Sequence, residues 1–281
     1  QYSGSFRVMV SCASALEPPA PLPASLVEAL GGAPLPGARI GPGELLMLRT
    51  NLGASRTYLA TRSRELELEA ARLRELSRRL HREQVRDDLV AELDRPEDTI
   101  DLPRAALLVA RLDNPELDID VYRRQLDELG SEIRGRFHGD MPAAERVEHL
   151  RRFLFEENGF HGSRHDYYNP ANSHLDQVLD DREGLPITLS FVFLAVAERA
   201  GLRDVRGVPL PGHFLVAHAP PGGPERLLDV FNGGRTLTHS EADELGSGFA
   251  GVQVRTEGMR PATKREMIVR LIGNLQSFTE R

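Results

Sequence analysis

The residues of this chain suited to amide chemistry fall in three stretches. These are REGLPITLSFVFLAVAERAGL at Arg182–Leu202, PGHFLV at 211–216 and LLDVFNGG at 227–234. In chain order they present a helix start, a histidine (His213) and an aspartate (Asp229). An aspartate bonded to a ring nitrogen fixes the imidazole tautomer and stabilises its charged form, the orienting half of a catalytic triad. A helix start offers unsatisfied N–H groups and a positive dipole end, the setting for an activated nucleophile or an oxyanion. The helix start here carries Pro186, which has no nucleophilic side chain and no backbone N–H. The single cysteine, Cys12, lies in an irregular N-terminal stretch.

Other residues compete for a chemical role. Thr188 and Ser190 follow Pro186 closely and are the hydroxyl nucleophiles that a hydrolase or acyltransferase would use with His213 and Asp229. The same hydroxyls suit bonding back to the preceding turn of a helix. His161, His165 and Asp166, with His213, make a conceivable metal set, yet the intervening Gly-Ser-Arg and the following YYNP read as a solvated loop. Tyr167, Tyr168, Asn172 and Ser173 either line a cleft beside His213 or form capped turns.

The elements that must position these groups are legible from pattern. Pro186 suits the first turn of a helix, and Ile187–Ala200 is apolar almost all round, which predicts a helix buried in a domain interior and stopped at Gly201. Strands are expected at about 204–209, 213–218 and 226–230, separated by Pro-Gly and Pro-Pro-Gly-Gly turns. Period-two alternation puts His213, Leu215 and Ala217 on one strand face, and Leu227, Asp229 and Phe231 on one face of the next. Joined by the 219–225 turn, the two strands would bring His213 and Asp229 side by side. A hydrophobic helix on a small antiparallel sheet is an α+β architecture.

Upstream the reading is helical. Leu66, Leu73, Leu76 and Leu80 form a narrow apolar stripe within a charged helix at about 61–84, and further helices are expected at 86–94, 103–113, 118–137, 143–158 and 173–181. Residues 1–60 read as a flexible Pro/Ala/Gly-rich leader, 61–158 as a helical segment, 159–258 as the α+β core and 259–281 as the opening of another helical region. Gln1 in place of an initiator methionine, and an end at Arg281 within a helical pattern, lead us to expect a fragment. Met9-Val10-Ser11-Cys12 loosely matches a bacterial lipoprotein cleavage box, but no long apolar run precedes it.

Composition narrows the partners. A formal charge of −7 argues against nucleic acid and anionic membranes, which select for basic patches. No segment approaches the ~18 consecutive apolar residues of a membrane span. One cysteine excludes an internal disulfide framework and any cysteine-based metal site, and fits a reducing, cytoplasmic setting.

The motifs DYYNPANSHLDQVLDDREGLPITLS, PGHFLV and DVFNGG resemble the SirB-type branch of the transglutaminase-like superfamily, over about Asp101 to Arg281. The resemblance implies a papain/transglutaminase-like α+β core preceded by an α-helical segment, with KREMIVRLIGNLQSFTER opening a tetratricopeptide-type region. Related transglutaminase-like proteins read R-x-G-x-C at the helix start, followed by His and then Asp. On that pattern Arg182 and Gly184 match, Pro186 stands where the cysteine would, and His213 and Asp229 take the partner positions. The resemblance thus implies a transglutaminase-like protein that has lost its nucleophile. The expectation is a non-catalytic cleft of Tyr167, Tyr168, Asn172, Ser173, Thr188, His213 and Asp229 that binds an unidentified protein or peptide, with no cofactor. Oligomeric state is not legible.

Overall fold

The computed structural model describes residues 42–50 and 52–279. Most of the expected leader, with Cys12, lies outside these residues. The part within them is helical: α1 spans Pro42–Thr50 and α2 spans Leu52–Leu93. Residues 42–50 and 52–60, read from composition as part of a flexible leader, are helical. There is also no break between the helices expected at 61–84 and 86–94, because no Pro or Gly interrupts Ala54–Leu93 and Arg, Glu and Leu are good helix formers.

The chain divides into two compact units, up to Arg78 and from Arg79 onward. In the first, α2 is laced with short-range ion pairs such as Arg62–Glu65, and Leu66, Leu73 and Leu76 are exposed. Pairs of this kind contribute a few tenths of a kcal/mol each.

The second unit is built on one large hydrophobic core. Helices α3 (Leu102–Arg111), α4 (Ile119–Gly135) and α5 (Ala143–Arg152) surround it. Asp101 and Asp118 cap α3 and α4 by accepting from the Arg104 and Asp120 N–H groups, both at 3.0 Å. A wider turn, Phe153–Glu157, follows α5. A short parallel pair, β1 (His161–Gly162) and β2 (Glu183–Gly184), flanks α6 (Leu175–Asp181). Helix α7 (Pro186–Arg199) runs through the middle, with Phe191, Phe193 and Val196 wholly buried. Full burial of such side chains contributes about 1.5–3 kcal/mol apiece, which makes α7 the spine of the domain.

Packed on α7 is an antiparallel sheet in the order β3 (Val205–Leu210), β4 (His213–His218), β5 (Arg226–Asp229), β6 (Arg235–Leu237). Its two faces follow the expected alternation. Phe214, Val216 and Leu228 join the main core, while Leu215, Ala217 and Leu227 pack in a second cluster with Ala242 of α8 (His239–Ala250). Gly207 on β3 makes room for Phe214, since a Cβ there would lie 2.7 Å from the ring. The last helix, α9 (Lys264–Thr279), buries Met267, Ile268 and Leu271 in the main core. The stretch read as the opening of another helical region thus packs its helix into this core. No helix among the described residues is long and apolar enough to cross a membrane.

One polar group is buried at a cost. His218, at the end of β4, is 1% exposed, and neither ring nitrogen has a partner among the described residues. Burial pulls its pKa below the usual histidine value, with Arg226 adding to the effect and Asp204 opposing it. The neutral form is the one that folding favours, so stability is intact above the unfolded pKa of about 6.5 and falls as the pH drops below it. His218→Leu is therefore neutral or stabilising at pH 7.5. Its advantage over wild type should widen by up to about 1.4 kcal/mol per pH unit below 6.5. Urea unfolding of both proteins at pH 7.5 and 5.5 checks this; parallel pH profiles would contradict it.

Candidate functional site

His213 opens β4, and Asp229 closes β5. Val216 faces Leu228 across the two strands, so one further step sets Asp229 opposite Leu215 and makes His213 its diagonal neighbour on the same face. The side chains span that diagonal: His213 Nε2 lies 2.9 Å from Asp229 Oδ1. Both are buried, at 6% and 2% exposure. The carboxylate also accepts from the Asn232 backbone N–H (3.3 Å) and from Asn232 Nδ2 (2.7 Å). Burial alone would raise the Asp229 pKa, but the bonds from His213 and Asn232 outweigh it and hold the carboxyl below the usual range. With Nε2 committed to an ionised partner, Nδ1 is the nitrogen left to act on anything beside the ring. The edge of the imidazole meets the Phe231 ring at 6.1 Å and 90°.

His213 lines a cavity of about 160 Å³ together with Pro186, Ile187, Tyr167, Tyr168 and Arg270. The start of α7, the start of β4, the tyrosine loop and α9 thus meet at one point. A larger hollow of about 720 Å³, near Leu102, Leu194 and Met267, contains none of the groups singled out in the sequence. The small cavity holds the chemistry and is the candidate site.

The tyrosine loop is tied to the helix start. Thr188 Oγ1 donates to the Asn172 carbonyl (2.8 Å) and accepts from the Leu185 N–H (2.9 Å). Asn172 Nδ2 in turn donates to the Asp166 carbonyl (2.6 Å). Tyr167 then packs edge-on against Tyr168 and Phe231, at 5.3 and 6.0 Å. Arg182 sits at φ 60° after α6, with its guanidinium 4.6 Å over the Phe160 ring. From this left-handed position its carbonyl accepts from the His161 N–H (2.8 Å), which joins β1 to β2.

Of the residues expected in the cleft, the structure gathers Tyr167, Tyr168, Pro186 and His213 around the cavity, with Asp229 directly behind His213. Asn172, Ser173 and Thr188 do not line it. They are 6%, 0% and 0% exposed and serve the framework, because the loop folds back onto α7 and draws their polar atoms inward. The Ser173 hydroxyl has no partner among the described residues. Ser190 is also fully buried, and its hydroxyl donates back to the Pro186 carbonyl at 2.7 Å. Neither Thr188 nor Ser190 therefore aims at His213 as a nucleophile would. His161, His165 and Asp166 are exposed, and no group of three or more potential ligands is assembled among the described residues. Two contributors escaped the sequence reading. Asn232 was foreshadowed only by its place after Asp229, and Arg270 by nothing local.

The family model described as the transglutaminase-like superfamily matches residues 120–273. This chain belongs to that superfamily. It is 33% identical over 186 residues to a UPF0162 protein of Xylella fastidiosa, a match that takes in 64% of this chain and 66% of that protein. A UPF0162 protein of Pseudomonas aeruginosa is 31% identical over 157 residues, covering 55% of this chain and 56% of that one. F-box only protein 21 of Homo sapiens is 30% identical over 135 residues, 46% of this chain and 21% of that protein.

Proposed function

We propose that this chain is a non-catalytic transglutaminase-like protein whose cleft retains the orienting His213–Asp229 pair and binds a protein or peptide. The observation that carries the reading is the pairing of an intact, buried His–Asp dyad with Pro186 at the helix start on the same small cavity. A dyad of this kind activates a thiol, and proline offers none. The tyrosines that also line the cavity supply rigid, amphipathic contact area of the sort that anchors a peptide. The 135-residue likeness to one fifth of a much longer protein supports a domain that works as a module. The proposal includes a cytoplasmic setting, no cofactor, no nucleic acid and no membrane, and adjoining helices of tetratricopeptide type that add contact surface.

Selection from a displayed random-peptide library tests it, with wild type compared against Asn274→Trp, which fills the mouth of the cavity from α9. The expected result is peptides that bind the wild type, lose at least about tenfold on Asn274→Trp, and are recovered unaltered. Enrichment indifferent to the cavity, or hydrolysis of the selected peptides, would overturn the reading.

A further inference from the structure

The chain carries 42 Asp and Glu residues against 35 Lys and Arg, yet no carboxylate lines the cavity beside His213. Its charged wall is Arg270. Among the described residues this guanidinium makes a single hydrogen bond, Nη2 to the His213 carbonyl at 2.7 Å, packs 5.4 Å over the Phe214 ring, and forms no ion pair. Most other arginines of this unit behave differently: Arg123, Arg136, Arg151, Arg199 and Arg265 are each held by an acidic side chain. Arginine presents five N–H donors in a planar fork, so most of the Arg270 fork is uncommitted. The side chain is half-buried, and burial lowers its pKa against the opposing effect of Tyr167.

A second donor lines the same cavity. The Tyr167 hydroxyl has no hydrogen-bond partner among the described residues. Burial, with Tyr168, raises its pKa against the opposing effect of Arg270, so it stays an O–H donor at neutral pH. A half-desolvated guanidinium fork and a phenol O–H on a cavity lined by no acids ask for an anion with two acceptor oxygens. Size sharpens the point, because about 160 Å³ is well below the ~300–1,000 Å³ of pockets that enclose whole small molecules. It fits the terminal group of something larger.

We propose that the cavity between Arg270, Tyr167 and His213 is a carboxylate pocket that receives the free C-terminus or an acidic side chain of a bound peptide. Arg270 is its anchor, with the fork meeting the two carboxylate oxygens as in bidentate arginine–carboxylate pairs. The inference rests on the reading of this cleft as a peptide site and gives that site its chemical class.

The first test needs no peptide. Sodium acetate, its neutral isostere acetamide and inorganic phosphate are titrated into the full chain, with the Arg270 Nε–H and neighbouring backbone amides followed by NMR at constant ionic strength. Saturable shifts with acetate in the millimolar range are expected. Acetamide should give none, and phosphate should bind no more tightly than acetate. Arg270→Gln should weaken acetate at least tenfold, and Arg270→Lys, which keeps the charge without the fork, should lie between. Absence of saturation by acetate in the wild type, equal binding of acetamide, tighter binding of phosphate, or full affinity in a folded Arg270→Gln would each overturn the proposal. The wild-type titration decides even where a variant fails to fold.

The second test separates this inference from the reading beneath it. Cavity-dependent peptides from the selection are resynthesised with an amidated C-terminus, and separately with Asn and Gln for Asp and Glu. A tenfold loss in the first set names the terminal carboxylate as the occupant, and in the second set the side chain. Retained affinity in both overturns the carboxylate pocket while the peptide cleft stands. A failed selection removes the cleft itself.

Discussion

Asp229→Ala lowers the unfolding free energy by about 3–5 kcal/mol, a large share of the 5–15 kcal/mol typical of a domain. The size follows from what is left behind. His213 stays buried with Nε2 unpartnered, Asn232 loses two bonds to the carboxylate, and the turn after β5 loses its cap. Breaking a buried pair by removing one partner costs more than the pair was worth, because the survivor keeps its desolvation penalty. Asp229→Asn keeps the shape and one acceptor, so about 1–3 kcal/mol is expected there. The pH dependence has a definite sign. The Asp229 carboxyl is held low in the folded state, so its contribution is fully present above the unfolded value near 3.9 and vanishes as the pH falls through the folded one. Wild type and Asp229→Ala should differ most at neutral pH and converge in strong acid. Chemical unfolding across that range is the measurement, and a loss under 1 kcal/mol at pH 7 would contradict the account.

Pro186→Cys, made together with Cys12→Ser so that the new thiol stands alone, should yield a thiol alkylated at pH 6 about 10–100 times faster than a free cysteine. An ordinary thiol with a pKa near 8.5 is under 1% thiolate at that pH. At the first position of α7 the thiolate would meet the positive end of the helix and an imidazole already oriented by Asp229. Such settings bring thiol pKa values down to about 3.5–7.5. Loss of the proline costs under about 1 kcal/mol, since the first helical position needs no N–H bond within the helix. Adding His213→Ala should return the rate to that of a free thiol. Iodoacetamide labelling followed by mass spectrometry reads both rates. Ordinary reactivity, rising only near pH 8.5, would mean that Pro186 does not stand where a nucleophile belongs and would remove the central support for the lost-triad reading.

The parts of this architecture that were legible in the sequence are those set by local physics. Apolarity almost all round Ile187–Ala197 calls for a helix buried in the domain interior, and the structure buries that stretch apart from a partly exposed Leu194. Period-two alternation on GHFLVAHA put His213 on the face that Asp229 shares, which is why their meeting could be foreseen from two strands and a turn. Failures came where distant chain decides the outcome. Thr188 is a hydroxyl near a helix start in either reading; only the return of the 166–172 loop turns it inward. Arg270 reaches the His213 carbonyl from 57 residues downstream, on a helix whose own pattern says nothing of the cavity. Strand β6 and helix α8 were overlooked although Thr238 and Glu241 form a reciprocal cap at the helix start, a signal the sequence did carry.

The bond from Thr188 to the Asn172 carbonyl has a kinetic meaning as well as a structural one. It fastens the end of the tyrosine loop, at Asn172, to the most deeply buried helix of the domain, so that end cannot come away without breaking a bond buried in the core. The ordering entropy of Asn172 is lost when the domain folds, because its carbonyl and side-chain amide are already bonded within the protein. An occupant therefore meets a wall already set. If the cavity binds as proposed, entry at this wall would be limited by diffusion and orientation rather than by a rare open conformer.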